Sequence, residues 1–121
     1  MSKTIMIVDD SVSIRQMVGH ALKGSGYEVV EAPDGQAALD SAKTRALDLV
    51  ITDQNMPRLD GISLTKALRA EARHSRTPIL ILTTEASEDM KSKGKAAGAT
   101  GWLVKPFEPN KLLEVVKKVI G

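Results

Sequence analysis

Five short apolar runs, separated by stretches with helical spacing, limit this chain more than any other feature. The runs are Ile5 to Val8, Val29 to Val30, Leu49 to Ile51, Ile79 to Leu82 and Trp102 to Val104, each too short for a helix and mostly β-branched or Leu. They read as five strands. In the first intervening stretch, Ile14, Met17, Val18, Ala21 and Leu22 follow i, i+3, i+4, i+7, i+8. Leu112, Val115, Val116, Val119 and Ile120 repeat that pattern near the end of the chain. Each set places one apolar stripe on a helix that can lie against a sheet. Strand and helix therefore alternate five times, which predicts an α/β fold. Its parallel sheet is covered on both faces, because parallel neighbours need crossovers and helices supply them.

Local signals mark several helix ends. Gly24 and Gly26 can end the first helix, Pro109 fits the opening turn of the last, and Ser87 with Glu88 and Asp89 reads as a helix start. The fourth helix, roughly Glu88 to Ala97, is the weak one. Gly94 lies inside it, only Met90, Ala96 and Ala97 offer apolar contacts, and Lys91 and Lys95 form a like-charge pair four apart. An interior Gly costs about 1 kcal/mol relative to Ala, so this segment is expected to pack poorly or to be kept marginal because it moves.

Composition removes several function classes. One domain fits in 121 residues, and a second does not. The net charge is only +2, with Lys and Arg scattered along the chain, so charge gives no argument for nucleic acid. The aromatic residues Tyr27, Trp102 and Phe107 make no stacking platform. With no Cys there are no disulfides, thiolate metal sites or Cys nucleophiles, which suits a reducing cytoplasm. The four-residue run Ile5 to Val8 ends at Asp9 and Asp10, too short for a signal peptide or a membrane span.

Ligands of open α/β sheets sit beyond the carboxyl ends of the strands. Those ends carry Asp9 and Asp10 after the first strand and Asp53 after the third. Thr83 and Thr84 follow the fourth, and Lys105 follows the fifth. Three carboxylates on one rim repel one another and call for a cation. Mg²⁺ takes one or two carboxylates, keeps waters and bridges to phosphoryl oxygens. An Asp that attacks a phosphoryl group needs charge neutralisation more than acid-base help. Lys105 and the Thr83 hydroxyl could each bind a phosphoryl oxygen. Any one of these acids alone reads better as a helix cap; the whole set, each member at or just past a strand end, does not.

At these residues the sequence resembles a known family. The stretches Ile7-Val8-Asp9-Asp10-Ser11, 52–61 from Thr52 to Gly61, Leu82-Thr83-Thr84-Glu85 and 98–107 from Gly98 to Phe107 are similar to the receiver domain of two-component response regulators. Within that family they resemble the CheY-like single-domain chemotaxis regulators. The resemblance covers essentially the whole chain, 1–121, and implies a receiver with no effector domain. It also implies a flavodoxin-like, doubly wound sheet in the order 2-1-3-4-5, the order the family is known for. Carried over by position, Asp53 is the phosphoacceptor. Asp9, Asp10, Asp53 and the Asn55 main-chain carbonyl hold Mg²⁺, Thr83 is the switch hydroxyl, and Lys105 contacts the phosphoryl group. Trp102 is the switch aromatic, and the bond from Lys105 to Pro106 is cis.

Two residues depart from the common pattern. Trp102 stands where most receivers have Tyr or Phe, and Thr84 where many have a smaller residue. His20 and His74 match no site; His20 is expected to face out from the first helix and His74 to lie in a polar turn.

The implied function is a phosphorylation-activated signalling switch, not an enzyme acting on others. A sensor histidine kinase donates, a dedicated phosphatase is possible, and a protein target such as the flagellar motor switch receives the output. The protein is expected to be a cytoplasmic monomer. Lys91, Lys95, Lys117 and Lys118 are expected to rim Trp102 as an output surface for an acidic amphipathic segment. A phosphorelay intermediate shares the same site. An Asp-nucleophile phosphohydrolase usually carries an acid two residues after the nucleophile, where this chain has Asn55. A flavin carrier is disfavoured because Asp9 and Asp10 would repel a flavin phosphate.

Overall fold

The computed structural model describes residues 2–106 and 108–121; Phe107, which ends the last family-like stretch, lies outside them. The elements run β1 (Thr4–Val8), α1 (Val12–Gly24), β2 (Glu28–Ala32), α2 (Gly35–Ala42), β3 (Leu49–Thr52) and α3 (Gly61–Ala70). A short 3-10 turn at Ala72–His74 leads to β4 (Ile79–Thr83), α4 (Glu88–Ala97), β5 (Gly101–Val104) and α5 (Pro109–Ile120). The strands form one parallel sheet in the order β2-β1-β3-β4-β5. β2 is longer than its two Val residues indicate, because its backbone pairs with the whole of β1, from Thr4 opposite Glu28 to Val8 opposite Ala32. Backbone pairing does not require an apolar side chain at every position.

Alternation along the strands splits the core between two faces. Ile5, Ile7, Leu49, Ile51, Leu80 and Leu82 meet α1 and α5 through Val18, Leu22, Leu112 and Val116. Met6, Val8, Val50 and Ile79 meet α2 and α3 through Ala38, Ala42, Leu64 and Leu68. Ile81 extends that second face towards α4, packing with Ile62, Ala97 and Trp102. Each fully buried Leu or Ile contributes about 1.5 to 3 kcal/mol. Strands this apolar on both faces can exist only between two helical layers.

The helix ends are closed by side chains. Ser11, Asp34, Asp60 and Ser87 accept amide hydrogens from the first turns of α1, α2, α3 and α4. At α4 the helix start expected at Ser87 is present. Glu88 and Asp89 occupy its first turn, Gly98 ends it in the left-handed region at φ 107°, and Lys91 pairs with Glu88 at 3.6 Å instead of simply opposing Lys95. Gly94 also has a packing reason. A Cβ there would stand 2.8 Å from Cε3 and Cζ3 of Trp102, so the missing side chain is what lets the indole lie against the helix.

His74 differs from its expected place in a polar turn: it is fully buried. Its Nδ1 and Thr77 Oγ1 are 3.1 Å apart, and its Nε2 lies 2.7 Å from the Ala42 carbonyl at the end of α2. Arg69 completes this corner by donating to the carbonyls of His74, Thr77 and Gly98. Partial burial, which strips water from the charge, holds its guanidinium below the usual Arg range. His20 is exposed, as expected. Among the described residues, no helix is long and apolar enough to cross a membrane.

Candidate functional site

The strand order reverses between β1 and β3, since the chain runs outward from β1 to β2 and then returns to the other side of β1. A crevice at such a reversal is where open α/β sheets bind ligands. Register does the rest. Val8 stands opposite Thr52, so the next residues, Asp9 and Asp53, leave adjacent strands side by side, and the Asp53 N–H donates to the Val8 carbonyl at 2.9 Å. Asp10 follows on the rim and is exposed, whereas Asp9 is 3% exposed. One oxygen from each of Asp9, Asp10 and Asp53 lies within 4.8 Å of the others.

Lys105 enters from β5. Its N–H donates to the Thr83 carbonyl at 2.8 Å, and its Nζ then reaches Asp9 Oδ2 at 2.8 Å and Asp53 Oδ2 at 3.6 Å. The pairs are largely shielded from water, where an ammonium between two carboxylates carries weight that a surface pair lacks. Three carboxylates against one ammonium leave two formal negative charges, which one divalent cation balances. Oxygens around Mg²⁺ or Ca²⁺ sit about 2.0 to 2.6 Å from the ion, so a spread within 4.8 Å fits a hard divalent cation with little rearrangement.

The carboxylates are oriented from behind. Asp9 Oδ1 accepts the Ser11 N–H at 2.9 Å, and Asp53 Oδ1 accepts the Gln54 N–H at 2.7 Å. Arg15 donates to the Asp9 main-chain carbonyl at 2.5 Å while its Nε pairs with Glu31 of β2 at 3.2 Å. Neither Arg15 nor Gln54 stood out in the sequence. Arg15 is one helical Arg among many charged residues, and a lone Gln carries no motif.

Thr83 ends β4 fully buried, with its hydroxyl accepting the Glu85 N–H at 3.3 Å. Trp102 is half-buried, and its indole N–H donates to the Glu85 carbonyl at 2.8 Å. Residues Thr83 and Trp102 therefore both hold Glu85, one through its N–H and the other through its carbonyl. The peptide bond from Lys105 to Pro106 is cis. Asn55 is exposed in the loop after β3.

Lys91 and Lys95 flank Trp102 in a groove that continues along Ala99, Thr100 and Gly101. Lys117 and Lys118 are exposed on the last turn of α5 and do not line it. The α5 lysine that faces β5 is Lys111, in a second groove with Val104, Pro106 and Glu108. Of the basic rim expected from helical spacing, only Lys91 and Lys95 lie beside Trp102, and Lys117 and Lys118 line neither groove.

A family model for the response regulator receiver domain matches residues 5–117. The chain belongs to that family. This receiver domain is 37% identical over 116 residues to the chemotaxis protein CheY of Pseudomonas aeruginosa, covering 95% of this chain and 94% of that one. It also spans about half the length of two curated transcriptional regulators that it matches at 39% and 38% identity. Its fold is similar to that of chemotaxis protein CheY4 of Vibrio cholerae, at 50% identity and a TM-score of 0.95, over 98% of this chain and 99% of that one. A further likeness is to the receiver domain of the sensor histidine kinase PA1611 of Pseudomonas aeruginosa, solved with magnesium in its active-site cleft. The identity there is 30%, the TM-score 0.92, and the coverage 100% of this chain and 99% of that one. The receiver domain is thus the regulatory module of a two-component response regulator, in a family of phosphoacceptor regulators.

Proposed function

We propose that this receiver domain takes a phosphoryl group from a histidine kinase onto Asp53, in a Mg²⁺-dependent reaction, and thereby changes its binding to a protein target. One observation carries the reading: Asp9, Asp10 and Asp53 gather their oxygens at the reversal of strand order, with the Lys105 ammonium between Asp9 and Asp53. An Asp53 oxygen attacks the phosphorus of a phosphohistidine. The new O–P bond forms as the P–N bond breaks, and the imidazole leaves with the electron pair and takes up a proton. Asp9, Asp10, Asp53 and the Asn55 main-chain carbonyl are the residues that would hold Mg²⁺. Bound there, the ion supplies neutralisation of the phosphoryl oxygens. Lys105 offers its ammonium to one of those oxygens, and the Thr83 hydroxyl to another.

Signal output follows from the Glu85 peptide. A Thr83 hydroxyl that turns to a phosphoryl oxygen releases the Glu85 N–H, and Trp102, bonded to the carbonyl of the same residue, feels the change. The groove of Lys91, Lys95 and Trp102 is the surface that would answer, with Lys117 and Lys118 of α5 contributing charge at longer range. Similarity to two chemotaxis proteins supports a role in chemotaxis, with the flagellar motor switch as the target. On this reading the protein is cytoplasmic and monomeric, and it catalyses only its own phosphorylation and dephosphorylation.

The test is labelling by a small phosphodonor. Stoichiometric, base-labile labelling that is lost in Asp53→Asn and on Mg²⁺ chelation supports the switch. Sustained hydrolysis of varied monoesters would instead mark a phosphohydrolase, and undiminished labelling of Asp53→Asn would remove the assigned acceptor.

A further inference from the structure

Gln54 follows Asp53 and is 3% exposed. A primary amide is stable so far inside only when its polar atoms are engaged. Its main-chain N–H donates to Asp53 Oδ1 at 2.7 Å, and its main-chain carbonyl accepts the Gly61 N–H at 3.0 Å. Its side-chain Oε1 accepts the Ile62 N–H at 2.8 Å. Gly61 and Ile62 open α3, and the first amides of a helix have no partner within it. Asp60 already caps that end at the Ser63 N–H, so Gln54 adds a second, separate attachment. There is no slack in the joint, because a Cβ on Gly61 would stand 2.4 Å from the Asp53 main-chain oxygen.

We propose that Gln54 is a positioning residue for phosphoryl transfer, clamping the Asp53 carboxylate to the first turn of α3. With Oδ1 held by the Gln54 N–H, Oδ2 is the oxygen turned towards Lys105, 3.6 Å from its Nζ. Oδ2 is then the atom that meets phosphorus. Losing the Oε1 acceptor frees the peptide between residues 53 and 54 to tilt, and a nucleophile displaced by a fraction of an ångström loses much of the advantage of prior alignment. The proposal rests on the reading of Asp53 as acceptor.

Gln54→Met keeps the length and bulk of the side chain but removes the acceptor, whereas Gln54→Glu keeps an acceptor oxygen. The rate constant for labelling by acetyl phosphate at saturating Mg²⁺ should fall at least fivefold in Gln54→Met and return to within about threefold of wild type in Gln54→Glu. Both are measured where circular dichroism shows complete folding. A purely structural role would leave the rate per folded molecule unchanged, so a wild-type rate in Gln54→Met overturns the proposal. So does equal slowing in both variants. Should Gln54→Met fail to fold, hydrogen exchange of the Ile62 amide in the wild-type protein decides. Slower exchange on adding Mg²⁺ supports a clamp between carboxylate and helix, and an unchanged rate overturns it. Labelling of Asp53→Asn run alongside reports separately on the acceptor itself.

Discussion

Replacing Gly94 by Ala should destabilise this protein, the reverse of what a helix interior normally gives. By intrinsic propensity alone the change contributes about 1 kcal/mol in favour of the fold. The added methyl, however, would lie 2.8 Å from two carbons of the Trp102 ring, against about 3.5 to 4.0 Å for relaxed carbon contact. Either α4 or the indole must shift. Overpacking of this kind costs about 1 to 3 kcal/mol. If the ring moves, the bond from Nε1 to the Glu85 carbonyl, 2.8 Å long, is strained or lost, at about 0.5 to 1.5 kcal/mol more. Once the propensity gain is subtracted, the net expectation is a loss of about 0.5 to 3.5 kcal/mol if the ring moves and of up to about 2 kcal/mol if α4 shifts instead. Urea melts give the magnitude. Trp102 is the only Trp, so its emission should shift to the red in the folded variant without correction for other residues. The sign should then invert in a Trp102→Ala background, where the added methyl meets Ile81 Cδ1 at an ordinary 3.5 Å and Gly94→Ala stabilises by about 1 kcal/mol. A stabilised single variant with unchanged emission would refute the contact and return Gly94 to being a simple weak point of α4.

Other expectations follow from the site and the core. Lys105→Met leaves Asp9 and Asp53 without their cation and should cost about 3 to 5 kcal/mol in EDTA, with Mg²⁺ raising the melting temperature more than in wild type; an equal Mg²⁺ response in both would count against the shared cation. Asp9→Ala removes an acceptor of the Ser11 N–H and the Lys105 ammonium and should lower the metal-free melting temperature. Asp10→Ala removes an exposed charge and should leave it unchanged or raise it; calorimetry without metal separates the two. His74→Ala opens a cavity and orphans the Ala42 carbonyl, and should cost about 2 to 4 kcal/mol. His20→Ala at its exposed site should stay within about 0.5 kcal/mol, so similar denaturation midpoints for the two would contradict the buried placement of His74.

The sequence by itself determined the class of the fold and pointed to the carboxylates and the ammonium that gather at the strand ends. Runs such as Ile79 to Leu82 are apolar at every position and too short for a helix, and alternating with amphipathic helices they read as strands covered on both faces, so a sheet between helical layers was legible in the sequence. Asp9, Asp53 and Lys105 were legible for a related reason: a polar residue that ends an apolar strand must lie on the rim, where the chain leaves the core. Strand ends are local information. The tertiary structure decided what depends on neighbours distant in the chain. The one-residue register of Val8 against Thr52 puts two carboxylates side by side, and no local pattern encodes it. Trp102 explains Gly94 from outside the helix in which Gly94 is a flaw. His74 is buried because Ala42 and Thr77 supply its partners, although its own neighbours in sequence are polar. Lys91 and Lys95 of α4 and Lys111 of α5 share a charge but line different grooves. Helical spacing fixes which side of its own axis a residue occupies, whereas the packing of whole helices on the sheet fixes what that side meets.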